Sequence, residues 1–110
     1  MSLNNFRLLP AFNQINDLHV VVLADDGKIR AIAHICREAI DEYFGFDVIT
    51  ATQQQRMSIV ERNLSTIEKI ITSKFDAHDF REYTESGSAH GNNNKLIVIT
   101  FQELSGVRLS

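Results

Sequence analysis

Two runs rich in β-branched residues, Leu18 to Ala24 and Ile29 to Ile35, flank Asp25-Asp26-Gly27-Lys28. Asp-Gly between such runs signals a hairpin, because both turn positions tolerate positive φ. With Asp26-Gly27 as a two-residue turn, Ala24 pairs with Ile29, Val22 with Ala31, Val20 with Ala33 and Leu18 with Ile35, and one hairpin face is wholly apolar. A one-residue slip would mix Arg30 and His34 into that set, so burial of a single face selects the register. The opposite face then carries His19, Val21, Leu23, Arg30, Ile32 and His34.

From Arg37 to Phe44, Ala39, Ile40, Tyr43 and Phe44 recur at helical spacing with Glu38, Asp41 and Glu42 between them, and Gly45 follows as a C-cap. This pattern predicts a short amphipathic helix. Thr52 and Gln55 fit a capping box. Beyond them Met57, Val60, Leu64, Ile67, Ile71 and Phe75 step by three or four residues, and Ile59 and Ile70 widen the stripe. One helix of about 22 residues, roughly 33 Å long, is expected. Arg56, Glu61, Arg62, Glu68 and Lys69 fall on its solvated side, and Lys74 closes its last turn.

Residues 76–95 are mostly polar, and Ser86 to Asn94 offers almost nothing to bury, so a mobile loop is expected there, with Phe80 to Thr84 as a short edge strand or helical extension. Leu96 to Phe101 is too continuously apolar for a one-sided strand, which predicts a central strand covered on both faces. The assembled expectation is a single α+β domain: antiparallel β-hairpin, short helix, long helix, then a central apolar strand, with the helices packed on one sheet face. Residues 1–17 read as an N-terminal extension and residues 105–110 as a frayed tail.

Composition narrows the function classes. The chain has 110 residues, 44% hydrophobic and 23% charged, which suits one globular domain. Its apolar runs fall far short of the roughly 18 residues that cross a bilayer, so no membrane association is expected. A net charge of −3 supplies no overall cationic field, which disfavours nucleic acid. Cys36 is the only cysteine, and the N-terminus lacks an unbroken apolar h-region, so the expected home is the cytoplasm.

The run Ile32 to Gly45, reading Ile-Ala-His-Ile-Cys-Arg-Glu-Ala-Ile-Asp-Glu-Tyr-Phe-Gly, resembles the strand-to-helix segment of a small bacterial family, the domain of unknown function 1488. In that family a hairpin precedes the helix. A second helix carries an Arg and then an Ile-Glu pair, resembled here by Arg62 and Ile67-Glu68, before a final strand such as Leu96 to Phe101. The resemblance spans residues 18–104 and rests mostly on core and cap positions. Longer stretches at residues 76–94 and beyond Glu103 depart from the family pattern. The resemblance implies a small bacterial α+β fold and brings no activity, cofactor or catalytic residue.

The candidate chemistry is sparse. The hairpin register sets His19 opposite His34, within reach of a shared ligand. Zinc wants three or four ligands, however, and the remaining His78 and His90 lie in or beside the polar loop, so no metal and no cofactor are expected. Glu38, Asp41 and Glu42 gather carboxylates on the short helix, as a small enzyme or ligand binder would need, and Cys36 precedes that helix as a candidate nucleophile. Acidic residues on a first turn are also ordinary complements of the helix dipole. Arg56, Arg62, Lys69 and Lys74 make the long helix locally cationic, a thin nucleic-acid signal. No catalytic signature emerges. The leading expectation is a non-enzymatic module acting through protein contacts, foremost as a homo-oligomer that self-associates through the hairpin face, and otherwise with a protein partner. Its interface would be the mixed hairpin face, where Val21, Leu23 and Ile32 run between His19, His34 and Arg30.

Overall fold

The computed structural model describes residues 3–8, 19–47, 50–83 and 94–109, with backbone alone at His19 and Tyr83. The elements are β1 Asn4–Leu8, β2 His19–Asp25, β3 Arg30–Cys36, α1 Arg37–Phe44, α2 Gln53–Arg62, α3 Leu64–Asp76, β4 Arg81–Tyr83, β5 Asn94–Ile99 and α4 Phe101–Ser105. One five-stranded sheet runs in the order β1-β2-β3-β5-β4. Only β3 and β5 are parallel. A parallel pair needs a long crossover, and α1 to α3 supply it. Buried residues of the helices, among them Ile40, Val60, Ile67, Ile71 and Leu104, join Val20, Val22, Ala33, Ile35, Ile97 and Ile99 in the main core. The fold is α+β, with every described helix on one face of the sheet.

The hairpin keeps its predicted faces but not its predicted register. Ala24 pairs with Ala31, Val22 with Ala33 and Val20 with Ile35, two residues from the expected alignment. Asp26 causes the difference. Its Oδ1 accepts from the backbone N–H of Lys28 at 2.9 Å and of Ile29 at 2.7 Å, while its own N–H donates to the Ile29 carbonyl at 3.1 Å. That closes a loop over residues 26–29, with Gly27 at φ +97°, and removes Ile29 from the ladder. A shift of two residues leaves every side chain on its original face, so burial could not have selected between the two registers. His19 therefore stands opposite Cys36, and His34 opposite Val21. The expected histidine pair does not form, and Leu18 lies outside the described residues.

The long helix divides at Asn63, whose ψ of +20° departs from helical geometry. Asn63 Nδ2 donates to the Ile59 carbonyl at 2.9 Å, which its own backbone N–H also engages at 3.1 Å. Such side-chain competition with the ladder bends helices. The capping box is present, with Thr52 N–H donating to Gln55 Oε1 at 2.8 Å and Gln55 N–H to Thr52 Oγ1 at 3.1 Å. Gly45 caps α1 at φ +71°. The apolar stripe faces the core as predicted, but Arg56 does not face solvent: it is 2% exposed.

Two peripheral stretches are more ordered than the sequence suggested. β1 forms inside the expected N-terminal extension, while β4 falls where the short edge strand was expected; residues 84–93 lie outside the description. The expected frayed tail docks. Leu104 is buried, and Tyr43 Oη donates to the Val107 carbonyl at 3.1 Å and accepts from the Leu109 N–H at 3.0 Å. β5 is interior, yet of its apolar residues only Ile97 and Ile99 are fully buried while Leu96 and Val98 are half-buried.

Candidate contact face

Residues paired across a sheet share a face, so the register builds the helix-free side row by row. One row crosses all five strands: Arg7 opposite Leu23, Leu23 opposite Ile32, Ile32 opposite Leu96, and Leu96 opposite Arg81. At about 4.8 Å per strand the row spans roughly 19 Å. On one side of it lie Val21, His34 and Val98, and on the other Asp25, Arg30 and Asn94. Val21, Leu23 and Ile32 form a small second cluster with Leu96, separate from the main core.

Of the residues expected at an interface, Val21, Leu23, Arg30, Ile32 and His34 are thus brought together on one face. His19 is described in its backbone alone, paired with Cys36. The apolar strip is not bare: Val21 retains 8% exposure, and Leu23 and Ile32 6% each. Leu96, Val98, Arg30 and His34 are half-buried, and Arg81 is exposed. The sequence reading missed Arg7, Arg81, Leu96 and Val98, because nothing local indicates which strands flank a hairpin. Among the described strand residues of this face are Arg7, Arg30, Arg81 and Asp25, the last 3.6 Å from Arg7, while Asp79 and Glu103 line a groove beside Arg81, Leu96 and Val98.

The carboxylates of α1 are dispersed instead of gathered. Asp41 is buried and accepts from Arg56 Nε and Nη2, both at 2.8 Å, in a two-point pair that pins α1 to α2. Glu38 and Glu42 are exposed, with Glu38 3.7 Å from Arg37. Cys36 is half-buried, and burial, followed by the charges of Glu38 and Glu103, pushes its thiol pKa up. That works against a nucleophilic thiolate. No group of three potential metal ligands occurs among the described residues.

Two of the four cations of the long helix are likewise occupied, while Arg62 and Lys69 are exposed. Arg56 is buried against Asp41, and Lys74 Nζ lies 2.8 Å from both Asp79 and Glu103. Glu103 also accepts from the backbone N–H of Thr100 at 2.9 Å and from its hydroxyl, capping α4. Burial would raise the Glu103 pKa, but the bonds from Lys74 and Thr100 hold it at about 2. Thr100 and Glu103 have capping-box spacing, a signal that would have located α4 from sequence. Beside this cluster an open groove of about 420 Å³ is lined by Phe80, Arg81, Leu96 and Val98. No helix among the described residues is long and apolar enough to cross a membrane. The chain matches no family model, no curated protein and no solved structure.

Proposed function

We propose that this chain is a non-catalytic protein-contact module that works through the helix-free face of its sheet. The observation that carries the reading is the division of the sheet. Every described helix packs on one face, while the other presents Val21, Leu23, Ile32 and Leu96 as a cluster of their own. Beside that buried cluster Leu96 and Val98 stay half-buried, and partly exposed apolar positions with polar groups at the rim have the layout of a contact surface. The rival readings lose part of their residues: Asp41 and Arg56 are consumed by each other, burial pushes the Cys36 thiol pKa up, and Lys74 is paired. The lone cysteine suits a reducing cytoplasm, and the resemblance to the bacterial family carries no competing activity.

The test uses half-buried positions on this face, since a charge at Ile32 would now disturb a buried side chain. Leu96→Gln with Val98→Gln should leave a cooperative melt while abolishing complexes of the full chain, with a second copy or with a host polypeptide, in sedimentation velocity and crosslinking. Complexes indifferent to these substitutions, or no complex at all at high micromolar concentration, would overturn the reading.

A further inference from the structure

The two neighbours of β5 differ in length. β3 pairs with it from Asn94 to Ile99, whereas β4 meets only Asn94, Lys95 and Leu96. Along residues 97–99 the far edge of β5 therefore has no strand partner among the described residues. The chain ahead of β4 cannot supply one, because it is tied to the end of α3. The His78 N–H donates to the Phe75 carbonyl at 3.1 Å and the Asp79 N–H to the Lys74 carbonyl at 2.8 Å, with His78 at φ +59°. In a strand the N–H and C=O of alternate residues point to opposite edges, so backbone donors and acceptors of this stretch face the open side. Such an edge is a template for another strand. The open groove of about 420 Å³ is lined by Leu96, Val98 and Thr100 on the β5 side and by Phe80 and Arg81 from the chain entering β4, which sets it along this edge. Its charges cancel: Lys74 and Arg81 stand against Asp79 and Glu103, and Lys74 is 2.8 Å from both carboxylates. Val21, Leu23 and Ile32 are buried and take no part.

We infer that this groove takes an extended, uncharged stretch of another polypeptide as an added strand beside residues 97–99, antiparallel to β5 and in line with β4. The inference rests on the contact reading and names its partner class. Antiparallel is the arrangement β4 already has, and it is the slightly more stable one. Three residues at about 3.3 Å each give a slot of roughly 10 Å between Arg81 and Thr100. A short segment free on both edges fits there, whereas the edge strands of a second copy, β1 and β4, arrive with a sheet attached. With the rim charges balanced, neither an acidic nor a basic guest is favoured. Backbone bonding, with apolar contact to Phe80, Leu96 and Val98, supplies the affinity.

The test titrates acetyl-Thr-Val-Thr-Val-Thr-amide into the full chain while the backbone amide resonances are followed. The peptide should shift the amides of Ile97, Val98 and Ile99 in a saturable way and give nuclear Overhauser contacts to their backbone in an antiparallel pattern. N-methylation along one edge of the peptide leaves the other edge free to pair and should preserve binding. N-methylation along both edges removes every backbone donor and should weaken binding about tenfold or more. Versions with every Thr replaced by Glu or by Lys should both bind more weakly than the Thr peptide and within about threefold of each other, since the rim charges cancel. No shift, shifts confined to other strands, binding undiminished by methylation of both edges, or a strong preference for one sign of charge would each overturn the inference. A chain that ignores the peptides yet forms Leu96- and Val98-dependent complexes would overturn it while leaving the contact reading intact.

Discussion

The two faces of the sheet are built from the same strands and differ in what they are asked to hold. On the helix side Val20, Ala31, Ala33, Ile35, Ile97 and Ile99 are all at 0% exposure, sealed by four helices. On the other side the row between Arg7 and Arg81 buries Leu23 and Ile32 at 6% each and leaves Leu96 half-buried. The alternation of strand side chains makes both faces from one sequence. The lesson is that one face carries stability and the other is free to carry charge.

Substitutions on the helix side should therefore dominate. Ile67→Asp puts a carboxylate where 1% exposure remains, and it should abolish the cooperative melt followed by circular dichroism; a melt near the parent temperature would break the comparison. Next in size is the Asp41–Arg56 pair, at 3% exposure on each side chain. Arg56→Ala strands a buried carboxylate and should cost about 3–5 kcal/mol in chemical denaturation, whereas Asp41→Leu with Arg56→Met should recover most of the loss. Smaller again is the charged face: Ile32→Val should cost about 0.5–1.5 kcal/mol, and Leu96→Gln about 0.5 kcal/mol. A larger loss from Leu96→Gln than from Arg56→Ala would invert the assignment of the two faces.

The smallest expected effect is on acid stability. Glu103 titrates at about 2 in the folded chain against 4.5 ordinarily. Its folded pKa is lowered, so its contribution is complete above the ordinary value and is lost as pH falls from about 4.5 towards 2. Glu103→Gln should flatten that part of the pH-dependence of the melting temperature and lower the neutral-pH melting temperature by the contribution lost. An unchanged acid limb would show that the Lys74 and Thr100 contacts do not survive in solution.

Local patterns were legible in the sequence and long-range pairings were not. The apolar hairpin face, the Thr52–Gln55 capping box, the Gly45 cap and the core stripe from Val60 to Ile71 each follow from periodicity or from the chemistry of adjacent residues. The hairpin register escaped because two alignments bury the same residues, and the Asp26 side chain selected between them. Arg56 was misread because its partner lies fifteen residues away on another helix. Periodicity around Arg56 reports only a polar residue beside a stripe. β1 escaped for a related reason: Asn4 to Leu8 has no clean alternation, and Asn5 at φ +59° sits where the pairing with β2 shifts. The contact face was half visible: the hairpin supplied Val21, Leu23 and Ile32, but its width and its arginine rim depend on which strands lie beside the hairpin.

The most direct test of the central claim is a hydrogen-exchange footprint of the full chain, alone and in whatever complex it forms. Protection gained over residues 21–23, 32–34 and 96–98, with α2 and α3 unchanged, is the predicted result. Protection gained along α2 and α3, with the helix-free strands unaffected, would contradict it.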